Sequence, residues 1–163
     1  MKRVVADSSA IILLQKTALL DIFRTTYDVV VAPAVYRELT SSPKKGAAEL
    51  AELLRASVCE PGQGCEKKEM GDGEGETLCL YGEGTGDFVI VDDKKAANAC
   101  KREAIPFINS LLVPRILHES KVIRRDAFHY YTARLIQEGY YSERIIRRAA
   151  DLSQEELHPF FPA

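Results

Sequence analysis

Apolar residues in this chain alternate between short, nearly continuous runs and longer stretches in which they recur at helical spacing. The short runs favour strands that are buried on both faces, and they predict strands at residues 2–6, 27–32, 58–60, 87–91 and 106–108. A first helix is predicted after Ser8 or Ser9, with apolar positions up to Phe23, and further helices at residues 34–39, 46–56, 76–81 and 94–103. Residues 61–75 carry five of the ten glycines and predict a loop.

The last third of the chain predicts helices only. Breaks are expected near Ile123 and Gly139, and Ser142 is expected to cap a helix at residues 143–151. Strands that alternate with helices are joined by right-handed crossovers and form a parallel sheet covered on both faces. We therefore predict an α/β fold with three α/β/α layers and a parallel central sheet. The 163 residues fit one domain, 1–163, in which residues 111–163 form an all-helical C-terminal extension.

Composition and charge exclude several classes of protein. The chain is 46% apolar and 28% charged, which provides a core and excludes a disordered chain. The longest apolar runs are much shorter than the roughly 20 residues that span a membrane, so no membrane span is expected. Asp7 interrupts the apolar run that a secretory signal would need, which favours a cytoplasmic location. The net charge of -2 gives no bulk argument for nucleic-acid binding.

The four cysteines, at positions 59, 65, 79 and 100, show no CxxC spacing and no nearby histidine pair. This pattern indicates neither a zinc site nor a disulfide framework. We expect reduced, small and mostly buried thiols.

Acidic residues follow two of the predicted strands. Asp7 comes directly after the first strand, and Asp92 and Asp93 come directly after the strand at 87–91. Because the carboxyl ends of parallel strands meet at one edge of a sheet, these carboxylates are expected to converge there. Glu38, in the helix after the second strand, is a candidate to complete the group. So are Glu74 and Glu76, at the start of the helix before residue 87.

Neighbouring acids cannot all point into one pocket. Residues two apart on a helix face different directions, so we favour Glu76 over Glu74. Of the adjacent aspartates we favour Asp92 for the cleft and expect Asp93 to cap the following helix.

Several carboxylates about 4 Å apart would repel one another by about 4 kcal/mol per pair at an effective dielectric constant of about 20. A bound cation would offset this repulsion. With no histidine or cysteine cluster nearby, oxygen ligands select Mg²⁺ or Mn²⁺, and such ions suit phosphodiester hydrolysis. The hydroxyls of Ser8 and Ser9 are candidates to orient a ligand or a bound water.

Each of these residues also has a structural interpretation. Asp7 or Asp93 alone could cap a helix, Glu38 could be a solvated surface residue, and Glu74 or Glu76 could complement the positive end of a helix. Basic residues follow the acidic turn and recur in the C-terminal helices. They could contact a phosphate backbone, or they could form a solvated surface. The candidates are Lys94, Lys95, Arg124 and Arg125.

The runs VVADSSAIILL, VVVAPAVYREL, GDGEGETLCLY and DFVIVDDKKAANACKREAIPF together resemble the PIN-domain nucleases, including the VapC-like toxins of toxin–antitoxin pairs. The helical tail resembles the C-terminus of one PIN subgroup, so the resemblance covers almost the whole chain. It implies a PIN-like fold and a ribonuclease dependent on Mg²⁺ or Mn²⁺, often homodimeric and often inhibited by a cognate antitoxin.

By the same resemblance, four acids in chain order are the catalytic ligands: Asp7, Glu38, Glu76 (or Glu74) and Asp92. Many relatives place threonine or serine near the fourth acid, whereas here Asn109 and Ser110 follow the next strand. Asn109 and Ser110 are therefore both candidates to assist the metal.

Two other functions fit parts of the pattern. A PIN fold that binds nucleic acid or protein without catalysis would need no metal. A phosphoryl-receiving signalling domain also uses acids at strand ends with Mg²⁺, but it needs a lysine after a later strand, and residues 106–110 contain none.

Overall fold

The computed structural model describes residues 1–41, 43, 45–65 and 72–162. At the centre lies a parallel sheet of four strands in the order β2-β1-β3-β4. The strands are β1 (Arg3–Ala6), β2 (Asp28–Val30), β3 (Phe88–Ile90) and β4 (Phe107–Ile108). In the register of the sheet, Val4 pairs with Val29 on one side and with Phe88 on the other. The predicted α/β class and the parallel sheet are confirmed.

Ten α-helices surround the sheet in the described residues. They are α1 (Ser8–Lys16), α2 (Leu20–Thr26), α3 (Pro33–Thr40), α4 (Ala47–Leu54), α5 (Asp72–Gly82), α6 (Lys94–Arg102), α7 (Val113–Glu119), α8 (Arg125–Gly139), α9 (Glu143–Asp151) and α10 (Gln154–Leu157). Short 3₁₀ turns occur at Arg55–Ser57, Ser110–Leu112 and His158–Phe160. Among these helices, none combines the length and the apolar character that crossing a membrane requires.

The core lies between the sheet and its helices, and three aromatic rings connect it to the C-terminus. Phe88 packs edge-on against Tyr27 at 5.7 Å between ring centroids and against Phe160 at 5.1 Å. The Tyr27 hydroxyl, whose ring is buried, donates a hydrogen bond of 2.6 Å to the Phe160 carbonyl oxygen. Burying a ring of this size contributes roughly 1.5–3 kcal/mol, so these contacts hold the last turn against the sheet.

Local signals placed several boundaries correctly. Pro33 occupies the first turn of α3, where its missing N–H costs no hydrogen bond. Ser142 caps α9 by accepting the Ile145 N–H at 3.2 Å, as the sequence predicts. After β4, the described residues contain only helices and 3₁₀ turns.

Other boundaries differ from the sequence prediction. The single helix expected up to Phe23 is two helices, because Ala18 adopts a left-handed conformation with φ 61° between α1 and α2. The strand expected at 58–60 is one bridge between Val31 and Val58. Helix α5 begins at Asp72, inside the predicted loop, whose residues 66–71 lie outside the described residues.

The prediction that the cysteines are all reduced and mostly buried is wrong. Cys65 and Cys79 form a disulfide with a Cα separation of 5.7 Å, which is within the usual range. Cys59 is partly exposed and only Cys100 is a buried thiol. CxxC spacing does not reveal the pair, because folding, and not proximity in sequence, brings Cys65 against α5.

Candidate active site

The hydroxyl of Ser9 connects the ends of the two central strands. β1 and β3 are parallel neighbours, so the residues that follow them emerge at the same edge of the sheet. The Ser9 hydroxyl donates a hydrogen bond of 3.0 Å to Asp7 Oδ2. It also accepts the backbone N–H groups of Asp92 at 3.1 Å and of Asp93 at 3.2 Å. One side chain thus fixes Asp7 relative to the turn after β3.

The two aspartates in that turn point in different directions. Asp93 caps α6 by accepting the Ala96 N–H at 2.9 Å, and its side chain also lines the cavity at the sheet edge. Asp92 is not among the residues that line the cavity. Its carboxylate accepts hydrogen bonds from the Ser110 N–H at 3.0 Å, from the Ser110 hydroxyl and from the Tyr141 hydroxyl. The geometry therefore favours Asp93 over Asp92 as a ligand, although Asp93 is also the expected cap.

The two glutamates of α5 are likewise separated. Glu76 is buried, and its Oε2 accepts the Ala34 N–H at 2.8 Å. This carboxylate occupies the positive N-terminal end of α3, where anions are stabilised. Glu74 lies half-buried in the cavity wall, close enough to Asp93 for the two carboxyls to interact directly. The geometry thus favours Glu74 over Glu76, and because α5 begins at Asp72, Glu74 lies in its first turn.

Glycine at position 73 permits α5 to approach α3 closely. A Cβ at Gly73 would lie 3.2 Å from Val35 Cγ2 and 3.4 Å from Glu38 Oε2. Glu38 is exposed at the cavity, in the last turn of α3. The contact between the two helices therefore brings Glu38 and Glu74 to the same opening.

These elements enclose a cavity of about 500 Å³ whose wall contains carboxylates from four separate segments. We call the set Asp7, Glu38, Glu74 and Asp93 the acidic cluster. Asp72 and Arg37 also line the cavity, as do Ser8 and Ser9. Neither Asp72 nor Arg37 is a predicted site residue, although each lies within two residues of a candidate acid.

Burial and mutual repulsion raise the pKa values of two members of the acidic cluster. Asp7 is only 4% exposed, and burial raises its pKa, as do the nearby carboxylates of Glu38 and Asp93. The hydrogen bond from Ser9 opposes this shift. Burial also raises the pKa of Glu74, with further increases from Asp93 and Asp7, while Lys95 lowers it. The fold brings carboxylates of like charge together, so the site favours protons or a bound cation that neutralise them.

A family model described as a PIN domain matches residues 3–155 of the chain. The chain belongs to the PIN-domain family. PIN domains are generally nucleases, and the four-stranded parallel sheet with its surrounding helices is the PIN-like α/β/α fold. Comparison with curated proteins and with solved structures finds no match.

The donor chemistry of this PIN domain fits a hard divalent cation. All the cluster side chains are carboxylates, which Mg²⁺ and Mn²⁺ prefer. Glu74 Oε2 is buried without a hydrogen-bond partner, as expected for an atom that awaits a positive ligand. Within the part of the chain that the structure describes, no three acidic, histidine or cysteine side chains are already spaced to hold an ion. Binding would therefore require the carboxylates to turn toward a shared ion.

The remaining predicted site residues occupy different places in the PIN domain. Ser8 is buried in the cavity wall. Asn109 accepts the Leu112 N–H at 3.3 Å and caps a 3₁₀ turn outside the cavity. Lys94 and Lys95 are exposed at the start of α6, and the positive charge of Lys95 lowers the pKa of Glu74.

The other two predicted basic residues lie at the start of α8. Arg124 and Arg125 are exposed there, and neither is among the residues that line the cavity.

Proposed function

We propose that this PIN domain is a ribonuclease that hydrolyses RNA phosphodiester bonds with Mg²⁺ or Mn²⁺. The observation that carries the proposal is the acidic cluster, whose four carboxylates line one cavity at the sheet edge. Asp7 directly follows β1, Glu38 and Glu74 lie on α3 and α5, and Asp93 directly precedes α6. Family membership adds a nuclease fold. Neither feature specifies RNA, which comes from the sequence resemblance to VapC-like proteins.

The cation would be held by the acidic cluster, Asp7, Glu38, Glu74 and Asp93. This set replaces the one favoured from the sequence, which was Asp7, Glu38, Glu76 and Asp92. When bound, Mg²⁺ or Mn²⁺ supplies a water activated for attack and stabilises the charge that develops on the phosphate. The hydrogen bonds of the Ser9 hydroxyl hold Asp7 in a fixed position relative to the turn after β3.

A nuclease site rich in carboxylates must also attract an anionic substrate. Arg37 lines the cavity, and Lys95 is near enough to lower the pKa of Glu74, so these two cations would contact phosphates next to the scissile bond. Lys94, Arg124 and Arg125 are exposed and would extend the contact along the RNA backbone. Such contacts predict cleavage that weakens as the salt concentration rises.

We extend the proposal to the biological setting that the resemblance implies. The chain would act in the cytoplasm as the toxin of a toxin–antitoxin pair, as a homodimer, and under inhibition by a cognate antitoxin protein. Residues 1–163 would form one domain. These statements rest on the resemblance of the sequence to VapC-like proteins.

The decisive experiment is RNA cleavage by the purified chain in Mn²⁺ or in EDTA, beside the Asp7→Asn variant. We expect cleavage of a mixed pool of single-stranded and structured RNAs in Mn²⁺ only. Asp7→Asn should reduce it to the EDTA level, because one charged ligand is lost from the centre of the cluster. Asp21→Asn, an exposed aspartate in the first turn of α2, is the matched control and should cleave normally.

A second measurement separates catalysis from binding alone. Saturable thermal stabilisation by Mn²⁺ that disappears in Asp93→Asn would support a metal site. Tight RNA binding with neither cleavage nor Mn²⁺ stabilisation would reject the nuclease and favour the non-catalytic PIN module. Cleavage by Asp7→Asn at the normal rate would remove the acidic cluster from the mechanism.

A further inference from the structure

The disulfide between Cys65 and Cys79 is attached to the helix that carries one acid of the cluster. Cys79 is on α5, five residues after Glu74, so the bond is anchored in the helix that carries this glutamate. Cys65 Sγ also lies 3.9 Å from the carbonyl oxygen of Gly75. Cys65 therefore lies against the first turn of α5 at Gly75 and is bonded to the same helix at Cys79.

The first turn of α5 is intrinsically weak. It contains two glycines, Gly73 and Gly75, and glycine is among the poorest helix formers because of its large conformational entropy in the unfolded chain. Charge repulsion adds to this, since Glu74 interacts unfavourably with the like-charged side chains of Asp93 and Asp7. A covalent bond that holds Cys65 against this turn opposes both effects.

We propose that the Cys65–Cys79 bond is a positioning element that holds Glu74 in the acidic cluster, so that the affinity of the site for a divalent cation depends on the oxidation state of this pair. The inference rests on the proposed metal-dependent function of the same cavity. The other two cysteines, Cys59 and Cys100, are unpaired thiols and take no part in it.

The chemical step is thiol–disulfide exchange with a dithiol reductant. A thiolate of the reductant attacks one protein sulfur, the S–S bond breaks, and the departing sulfur takes up a proton. The second thiolate of the reductant then displaces the remaining protein sulfur. The products are two cysteine thiols and the oxidised, cyclic disulfide of the reductant, with two electrons transferred to the protein. Cytosolic disulfides are commonly transient and redox-sensing, so reduced and oxidised forms would both occur in a cytoplasm.

The test is a Mn²⁺ titration of the oxidised protein and of the protein reduced with dithiothreitol, with unbound Mn²⁺ measured by electron paramagnetic resonance. We expect reduction to weaken Mn²⁺ binding by about 10-fold, at the lower end of the effect of removing a group that positions a metal ligand. Cys65→Ser should show the weak affinity without reductant, and air oxidation of the reduced wild type should restore tight binding. Cys59→Ser is the matched control and should respond to reduction as the wild type does.

The Glu74→Gln variant separates positioning from general loosening of the fold. If the disulfide acts through Glu74, Glu74→Gln should bind Mn²⁺ weakly and equally in both oxidation states. An equal loss on reduction in Glu74→Gln and in wild type would overturn the inference. So would equal Mn²⁺ affinity of oxidised and reduced wild type, which leaves the proposed nuclease intact. Absence of Mn²⁺ binding in the oxidised wild type would instead overturn the proposed function, and the inference with it.

Discussion

Asp92 and Asp93 are adjacent in sequence but have different roles, and alanine substitution should distinguish a structural role from a role in the site. Asp92→Ala removes a carboxylate that accepts three hydrogen bonds, two from Ser110 and one from Tyr141. Asp93→Ala removes one capping hydrogen bond from the Ala96 N–H at 2.9 Å. The first change should therefore damage the fold, and the second should damage the site.

The magnitudes follow from these contacts. Hydrogen bonds to a charged group contribute about 1.5–3 kcal/mol each, so three contribute about 4.5–9 kcal/mol before offsets. Part is lost because the carboxylate of Asp92 is desolvated, and this burial raises its pKa. We expect Asp92→Ala to lower the free energy of unfolding by about 3–5 kcal/mol, since donors on Ser110 and Tyr141 are left unpaired. Asp93→Ala loses a cap worth about 0.5–2 kcal/mol but relieves repulsion with Glu74, so its net change should be within about 1 kcal/mol.

Urea unfolding in EDTA, followed by far-UV circular dichroism, measures both effects. For a slope of about 2 kcal/mol per molar urea, Asp92→Ala should lower the midpoint by about 1.5–2.5 M, and Asp93→Ala by less than about 0.5 M. Mn²⁺ should stabilise Asp92→Ala but not Asp93→Ala. A midpoint for Asp92→Ala close to that of the wild type, or loss of Mn²⁺ stabilisation in that variant alone, would refute this division of roles.

Three further predictions concern the acidic cluster and α5. Asp7→Asn should raise the melting temperature in EDTA at pH 7. A carboxyl whose pKa is raised in the folded state destabilises the fold above its unfolded pKa, so calorimetry at falling pH should show this gain shrink toward pH 4. Gly73→Ala should weaken Mn²⁺ binding at nearly unchanged stability, because its Cβ crowds the contact with α3. Gly82→Ala, at the other end of α5 with open space around it, should bind Mn²⁺ normally in the same titration. Reducing Cys65–Cys79, which are 14 residues apart, should cost about 3 kcal/mol, or a melting temperature lower by about 6–12 °C in differential scanning fluorimetry. A shift below about 2 °C would contradict the chain-entropy account.

The fold was predictable because its signals are local. Nearly continuous apolar runs mark the buried strands, Pro33 marks the start of α3, and Ser142 marks the start of α9. The location of the acidic edge followed from topology alone, since Asp7 and the pair after β3 end parallel neighbouring strands. Neither step required knowledge of long-range contacts.

The choice between adjacent acids was not predictable, because it depends on partners distant in sequence. The carboxylate of Asp92 accepts a hydrogen bond from the hydroxyl of Tyr141, 49 residues later, and no local pattern encodes that hydrogen bond. Glu76 is held by the backbone of α3 at Ala34, 42 residues earlier. Gly73 and Gly75 also concealed the start of α5 at Asp72, because glycine is a poor helix former.

The hydrogen bond from Ala34 to Glu76 has a consequence for how the cavity can deform. It attaches the first turn of α3 to Glu76 of α5. The two helices that carry Glu38 and Glu74 are therefore expected to move together. Pressure on the outer surface of either helix would then displace both glutamates together. A displacement of either helix would therefore change the site without any group entering the cavity.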